Sequence, residues 1–190
     1  MLSKGNIRMK IPTFSLPAIK TCKNSNELCR KYCYARKSEK RFKTVVESRK
    51  RNLKESKRLG FARKMIKEIK GIKNQYIRIH ESGDFYSQWY LNKWFKICRE
   101  NPNKVFLVYT QMSNLNWKKK PDNLIVYWTS WGNSTPDGLR AFVVDDGRGI
   151  VKPYDIPMNA KICKKGEKGL TCDKCLYCFK GKGDVIFKLH

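Results

Sequence analysis

Between Gln75 and Thr110 the chain writes QYIRIHE, then YSQWYLNKWFKICRE, then KVFLVYT. The outer two are short, alternating, β-branched and aromatic runs. The middle one repeats its apolar residues at helical spacing. Two strands joined by a helix of this length pair in parallel, because a parallel connection needs a crossover of a dozen residues or so. The same texture extends in both directions. KIPTFSLP (10–17) reads as a first strand, and residues 38 to about 70 as a long, charged helical stretch broken at Gly60. NLIVYWTS (123–130) and RAFVVDD (140–146) read as further strands, and DVIFKLH (184–190) as a possible last one. Strands alternating with helices imply an α/β fold with a parallel sheet. NLNWKKKPDN, after the third strand, is short and contains Pro121, so the later strands are joined by loops. With 190 residues, one domain is expected. The expected architecture is an incomplete (β/α) barrel over residues 1–150, with residues 151–190 a small Cys-rich C-terminal appendage packed on it.

In open parallel sheets functional groups gather beyond the carboxyl ends of the strands. TCKNSNELCRKYCYARK (21–37) follows the first strand directly and carries Cys22, Cys29 and Cys33. No secretory signal and no run of eighteen apolar residues is visible, so a cytoplasmic, non-membrane protein is expected. There thiols stay reduced, and eight cysteines point to metal rather than disulfides. The tail repeats the theme in ICKKGEKGLTCDKCLYCFK, with Cys163, Cys172, Cys175 and Cys178. Overlapping C-x2-C-x2-C directs three thiolates onto one face of an iron–sulfur cluster, with a fourth ligand from elsewhere. Zinc sites more often use two separate C-x2-C arms. One or two four-iron clusters are therefore expected, with a zinc-stabilised module as the alternative. Three thiolates at the first set leave one iron open, the arrangement of a reactive site. Cys29 and Cys33 could instead face the core of one helix, or both sets could share one cluster. Cys98, on the apolar face of its helix, reads as a buried structural thiol.

Forty-two basic and sixteen acidic residues give a net charge of +26. Such a chain repels itself and favours a polyanion as partner. A lysine-rich genome would exchange Arg for Lys but would not remove Asp and Glu. Residues 36 to 73 hold sixteen basic and four acidic residues. On helices they form stripes that neutralise phosphates, with salt-sensitive, largely sequence-independent affinity. Arg41, Lys43, Arg49, Lys50, Arg51, Lys54, Lys57 and Arg58 are the expected nucleic-acid contacts, to DNA or RNA. Trp117, Tyr127, Trp128 and Trp131, near Lys118, Lys119 and Lys120, could stack unpaired bases or fill the core.

IRIHESGDFYS places His80, Glu81, Ser82, Gly83 and Asp84 at the end of the second strand. Alternation puts Arg78, His80 and Ser82 on one side. Asp84 could anchor a cofactor or cap the next helix, and His80 could ligate iron or satisfy a buried contact. Magnesium-dependent nuclease chemistry through Asp84, Asp145 and Asp146 is a further option, although VVDDGRG also reads as a turn.

TFSLPAIKTCKNSNELCRKYCYARK, then IRIHESGDFYS, then VYT and the Cys-rich tail together resemble the phage protein family known as gene product 88. The resemblance spans nearly the whole chain and implies a mobile-element origin, phage or plasmid. More distantly, the same residues are similar to radical S-adenosylmethionine proteins. Those carry three cysteines after the first strand and a G-G-E-like motif after the second, where Ser82, Gly83 and Asp84 stand. That likeness implies a shortened radical-enzyme scaffold with S-adenosylmethionine as cofactor and modification of a nucleic acid or host protein as activity. The usual C-x3-C-x2-C would place a cysteine at position 36, which is Arg36, so Cys22 would take that ligand's place.

Overall fold

The computed structural model describes residues 1–145, 156–165 and 167–189. The elements are β1 (Thr13–Phe14), α1 (Glu27–Lys31), α2 (Tyr34–Arg41), α3 (Lys43–Ser56), α4 (Phe61–Lys70) and β2 (Tyr76–Ile79). They continue with α5 (Gln88–Arg99), β3 (Val105–Thr110), β4 (Leu124–Ser130), β5 (Arg140–Val144), β6 (Lys161–Ile162), α6 (Cys172–Cys175) and β7 (Val185–Lys188). The seven strands form one sheet in the order β1-β2-β3-β4-β5-β7-β6, and every neighbouring pair is parallel. From β1 to β5 each strand lies beside its predecessor, so the chain winds in one direction. Right-handed crossovers then place their connecting segments on the same face.

That face is the aromatic core. Ile77 and Ile79 of β2 and Phe106 and Val108 of β3 meet Phe61, Met65 and Ile69 of α4, and Leu91, Trp94 and Cys98 of α5. Phe14 of β1 contacts Phe61 and Trp94 edge-on, with ring centroids 5.5 and 5.3 Å apart. Burying each such side chain contributes about 1.5–3 kcal/mol, which makes this junction the main anchor of the helices. Cys98 is a fully buried core thiol, as its position on the apolar face of α5 implies.

Strand alternation sends Tyr76, Leu107, Tyr109 and Tyr127 to the opposite face. There they are covered by both ends of the chain, Met9 and Ile11 from one and Phe179 from the other, with Cys163, Cys172 and Cys178 packed alongside.

Helix ends explain part of the positive charge. The Lys93 ammonium donates to the carbonyls of Ser56 (2.9 Å), the last residue of α3, and of Arg58 (2.7 Å), just beyond it. Lys104 does the same for Ile72 (2.5 Å) and Asn74 (3.0 Å), beyond α4. Cations satisfying the carbonyls at a helix C-terminus are favourable to both the hydrogen bonds and the dipole.

The tail is not an appendage. β7 pairs with β5 and β6 with β7, so the last segment extends the same sheet. β6 is only two residues long, too short to carry an alternating pattern in the sequence. Among the described residues no helix is long and apolar enough to cross a membrane.

Candidate functional site

The loop after β1 sets the three early cysteines. The Cys22 amide donates to Ile19 O (3.0 Å), and Ser25 N donates to Cys22 O (3.2 Å). Asn26 caps α1 by accepting from Cys29 N at 2.9 Å. Cys33 stands at the N-cap of α2. The two cysteines thus belong to different helices, and neither is buried in a core. The single-helix reading of Cys29 and Cys33 is corrected accordingly: the chain turns between them at Tyr32. Burial pushes the Cys22 thiol up to about 12, helped by the Asp84 charge and by Cys29 and Cys33. Burial also raises Cys29, to about 11, against a hydrogen bond from Gln111, with Cys33 and Asp84 adding to the rise. Three thiols and one carboxylate share a single electrostatic neighbourhood.

Asp84 is the fixed point of that neighbourhood. It is 6% exposed. Its Oδ1 accepts from Phe85 N and from Thr110 Oγ1, both at 2.7 Å, and Oδ2 from Gln111 N at 3.0 Å. Burial raises its carboxyl to about 6 in spite of these donors. Ser87, not Asp84, caps α5, its side chain accepting from Tyr90 N at 3.3 Å. The Gln111 Oε1 accepts from Asn26 N at 3.3 Å, so the end of β3 joins the cysteine loop to the Asp84 loop. A polar cleft of about 50 Å³ opens beside this junction, between Asn24, Gln111, Trp128 and Asn133.

The other residues of the second-strand loop have distinct surroundings. Gly83 has φ +82°, and a Cβ there would stand 2.5 Å from Thr21 Oγ1 and 2.6 Å from Leu16 Cβ. Its freedom serves close packing against the cysteine loop. Ser82 is buried; its carbonyl accepts from Leu16 N at 2.9 Å and its hydroxyl has no partner among the described residues. His80 departs from strand alternation. Its φ of +58° turns the ring into the helical core, among Phe14, Phe85, Tyr90 and Trp94. There Nε2 pairs with the Tyr90 hydroxyl at 2.9 Å, and burial with the Arg78 charge lowers the ring to about 3.

The C-terminal cysteines occupy the opposite face of the sheet from α4 and α5. Cys163 follows β6 and donates its amide to Ile186 O (2.8 Å). Cys172 opens α6, where the amides of Cys172 and Asp173 donate to Arg8 O (3.2 Å) and Met9 O (3.3 Å). Burial raises Cys163, Cys172 and Cys178, the last to about 11. Cys172 also feels Cys163 and Cys175, while Cys178 feels Cys163 and Cys172 and packs in the same cluster as Tyr109. The four thus form a second neighbourhood, with Lys165 and Arg78 as its cations. Sequence reasoning missed Gln111, Tyr109 and Arg78. Their place at or near the carboxyl end of a strand is the signal that could have found them. Among the described residues no three His, Cys, Asp or Glu side chains form a group set to hold a single metal ion.

The basic helices present Arg41, Lys43, Lys50, Arg51, Lys54, Lys57 and Arg58 to solvent. Arg58 pairs with Glu55 at 3.1 Å. Arg63, Lys64, Lys67 and Lys70 continue the exposed face on α4. Arg49 does not belong to that surface. It is buried, donating to Ala35 O (2.9 Å) and pairing with Glu39 (3.1 Å), because its position on α3 faces α2. Tyr127 is fully buried with its hydroxyl on Gly183 O (2.9 Å), and the Trp117 Nε1 donates to Met112 O (3.0 Å), so both serve packing. Trp128 and Trp131 are half-buried. Asp145 follows β5, and Asp146 lies outside the described residues.

Comparison with known proteins covers almost all of this architecture. The family model described as Gene product 88 matches residues 2–181. The chain is 26% identical over 198 residues to the Gene 88 protein of Mycobacterium phage L5, covering 88% of this chain and 81% of that protein. It is 24% identical over 199 residues to the Gene 88 protein of Mycobacterium phage D29, with the same coverage. No solved structure matches it significantly. With both cysteine sets, the Asp84 loop and six of the seven strands wholly inside the matched span, the chain belongs to the gene product 88 family.

Proposed function

We propose that this is an iron–sulfur protein of a phage or plasmid that binds nucleic acid through the outer faces of α3 and α4. The observation that carries the reading is that Cys22, Cys29 and Cys33, from three backbone settings, all follow β1 at the carboxyl edge of a parallel sheet and lie close enough to feel one another's charge. Thiolate sulfur is the donor such clusters take. A single tetrahedral zinc would draw its sulfurs to roughly 3.8 Å of one another, given Zn–S bonds near 2.3 Å. A four-iron cube takes its thiolates at separate corners, so the thiols that hold it need not meet at one point. The second set supplies four thiols in the same way. Exposed Lys50, Arg51, Lys54, Lys57, Arg63, Lys64 and Lys67 give the helices their phosphate-binding character. Anaerobic purification with iron and sulfide counted per chain tests the reading. Iron with equivalent sulfide supports it, and a colourless protein holding only zinc refutes it.

A radical enzyme using S-adenosylmethionine is the second reading. It is favoured by the single winding direction of β1 to β5, an incomplete-barrel order, with three cysteines after β1 and the Ser82–Gly83–Asp84 loop after β2 on one edge. The cofactor would lie against that loop. His80, turned into the core, would support the loop from behind rather than touch the cofactor. Reductive cleavage of S-adenosylmethionine by the reduced protein separates this reading from a pure binder.

A further inference from the structure

Of the five tryptophans only Trp89 is exposed, at 44%. It stands in the first turn of α5, where Tyr90 and Leu91 beside it are fully buried, and it joins none of the core clusters. An indole left in water forgoes one of the largest apolar burials a residue can make. This one is nevertheless held in place. The Lys93 ammonium, one helical turn on, lies 3.2 Å from the centre of the indole, and the Ser56 and Arg58 carbonyls fix that ammonium in turn. The ring is thereby tied to the turn between α3 and α4, one face on Lys93 and the other toward solvent. Its surroundings are cationic. Residues 54 to 70 hold seven basic and two acidic side chains. Both acids are already paired: Glu55 with Arg58 (3.1 Å) and Lys64 (2.9 Å), and Glu68 with the amino terminus (2.8 Å). Lys57, Arg58, Arg63 and Lys64 are exposed about the turn, and Lys96 is exposed two turns along α5 from Trp89. Leu59, 89% exposed at the turn, adds a second apolar group.

We infer that Trp89 is a stacking platform for an unpaired nucleobase, so that the surface it forms with the α3–α4 turn takes single-stranded nucleic acid in preference to duplex. The inference rests on the nucleic-acid part of the reading above and is independent of iron. Cations alone suffice for the phosphates of a duplex, whose bases are already stacked on one another. An unpaired base, by contrast, can lie on the open face of the indole while the flanking phosphates meet the lysines and arginines around it. Such stacking is tolerant of sequence, because every base has a flat face to offer. A lipid surface is the other polyanion that a tryptophan among lysines could meet, but it needs a broad apolar face to insert. Here Phe61, Met65 and Ile69 of α4 are turned into the core, which leaves Leu59 and Trp89 as the exposed apolar groups of this surface.

The test uses the full chain and two fluorescent strands, an oligothymidylate and an oligouridylate, each offered free and annealed to its complement. Binding is followed by anisotropy across a salt series, with circular dichroism to confirm that each variant is folded. Trp89→Ala should weaken binding to at least one of the free strands by about tenfold. Its binding to the annealed strands and its salt slope should stay as in the parent, because the phosphate contacts are untouched. Trp89→Phe keeps a ring and should recover most of the loss. Unchanged binding of Trp89→Ala to both free strands, an equal loss on free and annealed strands, or no recovery in Trp89→Phe overturns the stacking role while leaving the nucleic-acid reading intact. So does a Trp89→Ala protein that keeps its affinity for the free strands and loses it for phosphatidylserine vesicles. A parent that binds no strand, free or annealed, overturns both.

Discussion

Replacing Gly83 by Ala puts a methyl group where the structure has no room. A side chain at φ +82° costs about 1–2 kcal/mol through the clash of Cβ with the following carbonyl. The Cβ would also stand 2.6 Å from Leu16 Cβ and 2.5 Å from Thr21 Oγ1. Neither neighbour yields easily. Leu16 is fully buried with its amide on Ser82 O at 2.9 Å, and the Thr21 hydroxyl donates to Pro17 O at 2.9 Å. Overpacking of this kind costs a further 1–3 kcal/mol or so, for a total of about 4 kcal/mol. Urea denaturation of the metal-free protein measures it as a fall in midpoint at unchanged slope. Because Thr21 precedes Cys22, Gly83→Ala should also lower iron uptake at the first cysteine set. Gly60→Ala is the control. It has an ordinary φ of −73° and nothing within 4 Å of the added Cβ, so it should shift stability by less than about 1 kcal/mol. A Gly83→Ala protein within 1 kcal/mol or so of the parent would refute the packing argument.

Cys29→Ser and Cys33→Ser should each lower the iron content of an anaerobic preparation, read by iron and sulfide assay, while Cys98→Ser should not. Lys50→Ala, Arg51→Ala and Lys54→Ala combined should weaken oligonucleotide binding and flatten its salt dependence without loss of iron. Arg49→Ala, by contrast, should cost about 3 kcal/mol of stability by leaving Glu39 without its partner, and should leave the salt slope in place. His80 makes the protein acid-sensitive. Its folded pKa of about 3 lies below the unfolded value, so its contribution is complete above about pH 6.5 and is lost as pH falls toward 3. His80→Asn keeps a residue that tolerates left-handed backbone. Relative to the parent it should recover about 3 kcal/mol between pH 7 and 4.5, measured by urea midpoints. Asp84 runs the other way. Its raised carboxyl favours the fold at low pH and penalises it by about 3 kcal/mol once pH rises through 6, so Asp84→Asn should be relatively more stable at pH 8 than at pH 4.

The sheet was legible because each of its longer strands carries its own signal. Ile77 and Ile79 alternate with Tyr76 and Arg78, and Trp94, Ile97 and Cys98 mark the buried side of α5. The cysteines were legible as two sets from their spacing, and their different placements follow from the strands they succeed. What escaped the sequence is what backbone conformation decides. The side of the sheet on which His80 falls depends on one left-handed residue, which no periodicity records. That Arg49 belongs inside while Lys50 and Arg51 lie outside depends on how α3 rolls against α2. The charge pattern alone treats all three alike. β6 and the Tyr109–Arg78 stack arise from contacts between distant segments, and no local pattern announces them.

The strand order has a consequence for biosynthesis. β2 to β5 can each dock on a neighbour already made as the nascent chain emerges. β6 cannot, because its partner in the sheet is β7, which is translated later. Cys163, tied to β7 through Ile186, therefore waits for that strand, and the C-terminal thiols come together only once residues 185–188 have been made. Any cofactor inserted there is loaded only after β7 has been made, whereas the loop after β1 can be filled before it.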